Sequence, residues 1–62
     1  MKYLIIFEAD CGAYIAEDIH EVDVDNQDEL RGEIELIGEN VSEKRGTVFR
    51  CTGVEEVEEE EE

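Results

Sequence analysis

The stretch DNQDELRGEIELIGEN, residues 25–40, decides the fold. Asn26 is a good N-cap, because its side-chain oxygen can take a backbone N–H that the first helical turn leaves unpaired. Glu29, three residues on, completes a capping box. Leu30, Ile34, Ile37 and Val41 then recur at i, i+4, i+7 and i+11, one stripe of an amphipathic helix. Gly38 is the expected C-terminal stop. Gly32 weakens the middle by about 1 kcal/mol relative to alanine. Leu36 falls off the stripe by roughly 100° of rotation, beside Glu29 and Glu33.

On either side of this helix the pattern changes to strands. Residues 2–9, KYLIIFEA, are rich in β-branched and aromatic types and apolar on both faces, as a central strand is. DCG at 10–12 reads as a short hairpin turn, with Gly12 supplying positive φ. A second strand is expected from Ala13, extended through Val24, either unbroken or interrupted near Glu17–Ile19. After a polar turn at SEKRG, Thr47–Val54 reads as the last strand. Residues 55–62, EEVEEEEE, carry almost no apolar content and are expected to be a disordered acidic tail. The prediction is one α+β domain over residues 1–54. It has a three- or four-stranded, mainly antiparallel sheet formed by an N-terminal β-hairpin and a C-terminal strand, with one helix packed on one face.

Charge sets the functional expectation. The 62 residues carry 20 acidic and five basic side chains, a formal net charge of −15. Without residues 55–62 the body keeps 13 of those acids against the same five bases, so the acidity is not confined to the tail. Such a field repels nucleic acid and anionic membranes, attracts basic protein surfaces and strains the compact state by self-repulsion. The melting temperature is therefore expected to rise between low and high sodium chloride, and a flat profile would contradict this. A chain of this length buries only about 60% of its unfolded surface, which leaves little room for a water-excluding pocket.

Residue types narrow the chemistry further. One histidine, His20, two cysteines, Cys11 and Cys51, and a single serine, Ser42, form no nucleophile motif, and no phosphate loop is present. The expectation is a non-enzyme without cofactor. DVDNQDE, residues 23–29, resembles a calcium loop but has Asp28 at the glycine place and Ile34 at the twelfth. Weak, nonspecific divalent binding along the acids is all that is expected there. Cys11, His20 and Cys51 lack zinc-ligand spacing. Two cysteines make no disulfide framework, and reduced thiols are expected. MKYLIIF turns polar at Glu8 before a signal-peptide core accumulates. No apolar run is long enough to cross a bilayer. The expected location is the cytoplasm, or the host cytoplasm for a phage-encoded chain.

EDIHEVDVD, residues 17–25, carries the sharpest signal. On a strand, Glu17, Glu21, Asp23 and Asp25 share one face, with i and i+2 about 6.6 Å apart. Phosphates of one DNA strand advance about 3.4 Å along the axis and lie further apart through space. Asp28, Glu35 and Glu39 add a stripe on the helix, with Glu29, Glu33 and Leu36 beside it. These ten residues are the candidate partner-binding set. The expected function is that of a small acidic inhibitor, a DNA or RNA mimic. It would occupy the basic site of a nuclease, polymerase, glycosylase or CRISPR effector, and could be a viral anti-defence or host-takeover protein. It would contact neither nucleic acid nor membrane directly, and would act as a monomer or homodimer.

The competing expectation is a shape-led interaction module that uses an exposed edge strand, with Leu36 or Tyr14 as apolar anchor and acidity serving only solubility. A halophilic origin fits less well, given 15 Glu against five Asp and only three Ala. The cluster Lys44, Arg45 and Arg50 is expected to pair locally with acids.

Overall fold

Tyr3, Ile5, Phe7 and Ala9 alternate with Lys2, Leu4, Ile6 and Glu8, and only the first set is buried. That period of two belongs to a strand with one face in the core. The computed structural model describes residues 1–58. In it, β1 (Lys2–Asp10) is the centre of a three-stranded sheet, flanked by β2 (Ile15–Asp23) and β3 (Arg50–Val57), both antiparallel to it. One helix, α1 (Gln27–Arg45), lies between β2 and β3 in sequence. The fold is α+β, with the hairpin and returning strand read from the sequence and three strands.

The hairpin register runs from Lys2 opposite Asp23 to Asp10 opposite Ile15 without a break, so β2 is a single strand. The turn is longer than expected. Asp10 belongs to β1 and residues 11–14 form the loop. Its geometry has a local cause: the Gly12 N–H donates to Asp10 Oδ1 at 2.9 Å, an Asx turn, and Gly12 takes φ 87°. The Cys11 N–H donating to Tyr14 O at 3.0 Å closes the loop.

The helix begins at the predicted Asn26 cap, but the return bond from Glu29 goes to the residue before the cap, Asp25, instead of to Asn26. The Glu29 N–H donates to Asn26 Oδ1 at 2.9 Å, while Glu29 Oε2 accepts the Asp25 N–H at 3.0 Å. It does not stop at Gly38. It continues to Arg45 and ends at Gly46, whose φ of 71° is left-handed and whose N–H donates to Ser42 O. Ser42 to Arg45 are therefore helical, and Lys44 and Arg45 sit in the last turn where cations favour the helix dipole.

Gly38 has a packing reason to be there. A Cβ at this position would lie 3.2 Å from Cε1 of Phe7, a ring only 1% exposed. The missing side chain lets the helix settle on that ring. Gly32 meets nothing within 4 Å. The two glycines should thus respond oppositely to alanine. Gly32→Ala is expected to stabilise by up to about 1 kcal/mol through helix propensity. Gly38→Ala is expected to destabilise by about 1 kcal/mol, because crowding a packed core outweighs the same gain. Urea unfolding midpoints in the reverse order would contradict this packing.

Val41 is buried on α1, and Leu30, Ile34 and Ile37 pack with it against Ile5, Phe7 and Ala9, as their spacing predicts. Phe49 completes the core from the loop before β3, where its N–H donates to Ser42 Oγ at 2.9 Å. Residues 47–49 are therefore loop, and β3 starts later than the sequence suggests. It also ends later. Glu55, Glu56 and Val57 pair with Leu4, Tyr3 and Lys2, so the expected boundary after residue 54 falls inside β3. Ladder hydrogen bonds to β1 and a half-buried Val57 supply what the acidic side chains do not. The rest of the expected disordered tail, residues 59–62, lies outside the described residues. A bulge at Thr52 shifts the register between Ile6 opposite Gly53 and Phe7 opposite Cys51. Cys11 and Cys51 are free thiols.

Candidate partner-binding surface

One helix covers one face of the sheet. Ala16 and Val22 of β2 pack against the core, so Glu17, Ile19, Glu21 and Asp23 point to the opposite, open face. The register lays out that face in rows. Glu21, Leu4 and Glu55 form one row across the three strands, and Ile19, Ile6 and Gly53 the next. Asp23, Lys2 and Val57 border them at one end, and Glu17, Glu8 and Arg50 at the other. The open face is thus an apolar strip of Leu4, Ile6 and Ile19, with Ile19 52% exposed, ringed mainly by carboxylates.

The carboxylates are not all compensated by design. Glu8 and Glu17 are direct cross-strand partners, an arrangement of like charges that weakens a sheet. Lys2 Nζ lies 3.9 Å from Glu21 Oε1, and the N-terminal ammonium 3.3 Å from Asp23 Oδ1. Both contacts are exposed and contribute little to stability.

The ten candidate residues divide between two sides of the protein. Glu17, Glu21 and Asp23 are together on the open sheet face. Asp25 lies beyond the end of β2, after the buried Val24, and is tied through its N–H to Glu29 at the helix start. Asp28, Glu35 and Glu39 run along α1 away from the core, with Glu33 and the exposed Leu36 on its other flank. Helix and open face are on opposite sides of the sheet. A flat partner meets one acidic side or the other, and only a cleft that clasps the body meets both. Tyr14 is exposed at the hairpin loop, at one end of the sheet.

Three features are only partly legible in the sequence or not at all. The apolar strip was visible as the second apolar face of KYLIIFEA, which signals a central strand but not which face the single helix leaves bare. Asp18 and His20 face the helix, not the open face. Asp18 Oδ1 lies 3.5 Å from His20 Nε2 and Oδ2 lies 3.7 Å from Arg45 Nη2, while His20 stands edge-on to Phe7. Asp18 thereby links β2 to the last turn of α1, and Arg45 also lies over the Phe49 ring at 5.8 Å. Of the cationic cluster expected to pair locally, this shows the pairing for Arg45. The third feature is a groove of about 780 Å³ on the β3 side of α1, lined by Phe7, Ile34, Phe49 and Glu39 among others. Among the described residues, no three His, Cys, Asp or Glu side chains stand close enough to hold a metal ion, and no helix is long and apolar enough to cross a membrane.

Compared with known proteins, the chain matches no family model, no curated protein and no solved structure.

Proposed function

We propose that this chain is an acidic inhibitor that occupies the basic nucleic-acid-binding site of another protein, with the open sheet face as its recognition surface. The observation that carries the reading is the combination on that face. Glu17, Glu21 and Asp23 stand exposed along one strand edge of an apolar strip formed by Leu4, Ile6 and Ile19. Carboxylates at strand spacing steer and register a Lys- and Arg-lined groove. The apolar strip supplies the desolvated contacts that charge alone does not. The targets in view are nucleases, polymerases, glycosylases and CRISPR effectors, met in a bacterial cytoplasm.

Affinity capture from a bacterial lysate at low and moderate salt tests this. Recovery of one nucleic-acid-binding protein, displaced by competing DNA or RNA and held more weakly as salt rises, supports the proposal. Basic proteins that are all lost at moderate salt would mean a solvated acidic face without a specific partner.

A second reading has its own observation. In the order β2-β1-β3 both outer strands keep a free backbone edge among the described residues. An edge-paired partner, or a second copy of the chain, would hold through main-chain hydrogen bonds and resist salt. Salt dependence of the captured complex separates the two readings.

A further inference from the structure

The groove between α1 and β3 is distinct from the open sheet face, because it lies on the helix side of the sheet. Its floor is apolar: the Phe7 ring, Ile34 and Phe49. Val48 stands at its rim, 71% exposed, an aliphatic side chain that the fold leaves in water. Along the helical wall run Glu35, Glu39 and Glu43, all exposed and spaced four residues apart. The other wall is the loop residues Thr47, Val48 and Phe49 followed by Cys51 at the start of β3, an outer strand with no further strand paired along its far edge among the described residues.

The spacing of that wall selects a conformation. Four residues of helix rise about 6 Å, so the three carboxylates repeat at nearly the interval of alternate residues on an extended chain, about 6.6 Å. The charge selects a composition. The chain's own C-terminal glutamates have the wrong sign for this wall, and so does a second copy at net −15. Lys and Arg side chains fit both features at once: their aliphatic stems lie along the apolar floor while their charged heads reach the glutamates.

We infer that the α1–β3 groove binds an extended segment of a partner protein with Lys or Arg at every second position, laid between Glu35, Glu39 and Glu43 and the free edge of β3. It is a second docking site, independent of the open-face reading. Main-chain hydrogen bonds to β3 would hold the segment, and alternate cationic side chains would set its register.

The probe is a synthetic peptide alternating Lys and Val, compared with a block peptide of the same composition. Both are titrated into the isotope-labelled full chain and followed by amide chemical shifts. The alternating peptide is expected to bind more tightly and to shift residues 35–53. The variant Glu35→Gln, Glu39→Gln, Glu43→Gln changes only exposed side chains and is expected to keep the native spectrum. Loss of three exposed ion pairs should weaken the alternating peptide by about tenfold. Val48→Lys, which puts a like charge at the rim, should weaken it as well. Equal affinity for the two peptides would overturn the site, as would shifts confined to residues 15–23. Neutralising Glu17, Glu21 and Asp23 is expected to leave peptide binding unchanged, so failure here and failure of the open-face proposal are separate results.

Discussion

Phe7→Ala is expected to leave the chain unfolded at room temperature and low salt. Phe7 and Ile5 are the largest fully buried side chains, and the Phe7 ring touches the helix at Gly38, faces His20 and floors the α1–β3 groove. Truncating a buried phenylalanine costs about 3–5 kcal/mol, from lost transfer energy and the cavity left behind. A chain of this length holds roughly 3–9 kcal/mol in all, and self-repulsion at a net charge of −15 places it toward the lower end. The deficit therefore matches or exceeds the reserve. Circular dichroism and amide chemical-shift dispersion read the outcome. Phe7→Leu, which keeps most of the volume, should stay folded with a lowered midpoint. A cooperative melt in Phe7→Ala close to that of the parent would contradict the placement of Phe7 at the centre of the core.

The second large effect concerns binding. The triple change Glu17→Lys, Glu21→Lys, Asp23→Lys is expected to weaken the captured partner by about a hundredfold or more, since like charges brought together across an interface cost several kcal/mol. All three positions are exposed, and substitutions at such sites change stability little. Glu17→Lys even replaces the repulsion from Glu8 with an attraction across the ladder. The variant should therefore fold, and loss of binding would not be loss of structure. The matched reversal Glu33→Lys, Glu35→Lys, Glu39→Lys on the helix alters the net charge by the same amount on the other side of the protein. It should cost far less. Equal losses from the two variants would mean that the partner senses total charge and no particular face.

Much of the fold was legible because local signals agreed with one another. The Asn26–Glu29 cap and the stripe Leu30, Ile34, Ile37 and Val41 place the helix start and its buried face, and both faces of KYLIIFEA being apolar marks β1 as central. The misreadings have tertiary causes. Gly38 has the look of a helix stop, and nothing nearby in sequence reveals that Phe7, thirty-one residues earlier, needs the space. Glu55 and Glu56 look unfit for a strand because their pairing depends on backbone groups of β1. Phe49 looks like a strand residue, yet its burial is set by Ser42 holding its N–H.

The candidate surface was legible only in part. The period of two in EDIHEVDVD correctly puts Glu17, Glu21 and Asp23 on one face of β2, opposite to Asp18 and His20. The same stretch cannot show that the helical acids Asp28, Glu33, Glu35 and Glu39 end on the other side of the body. That depends on which sheet face the helix takes, and the apolar strip Leu4, Ile6 and Ile19 is the face it leaves. Charge counting treats all acids alike, whereas the fold sorts them into two surfaces with different apolar companions.

The most direct test of the central proposal is a competition on the captured partner. A labelled DNA or RNA oligonucleotide is first bound to that partner, and this protein is then titrated in. Mimicry predicts complete displacement, with the oligonucleotide and the protein never on the partner together and the Glu17, Glu21, Asp23 lysine variant unable to compete. A stable ternary complex, with the oligonucleotide still bound at saturating protein, would contradict it.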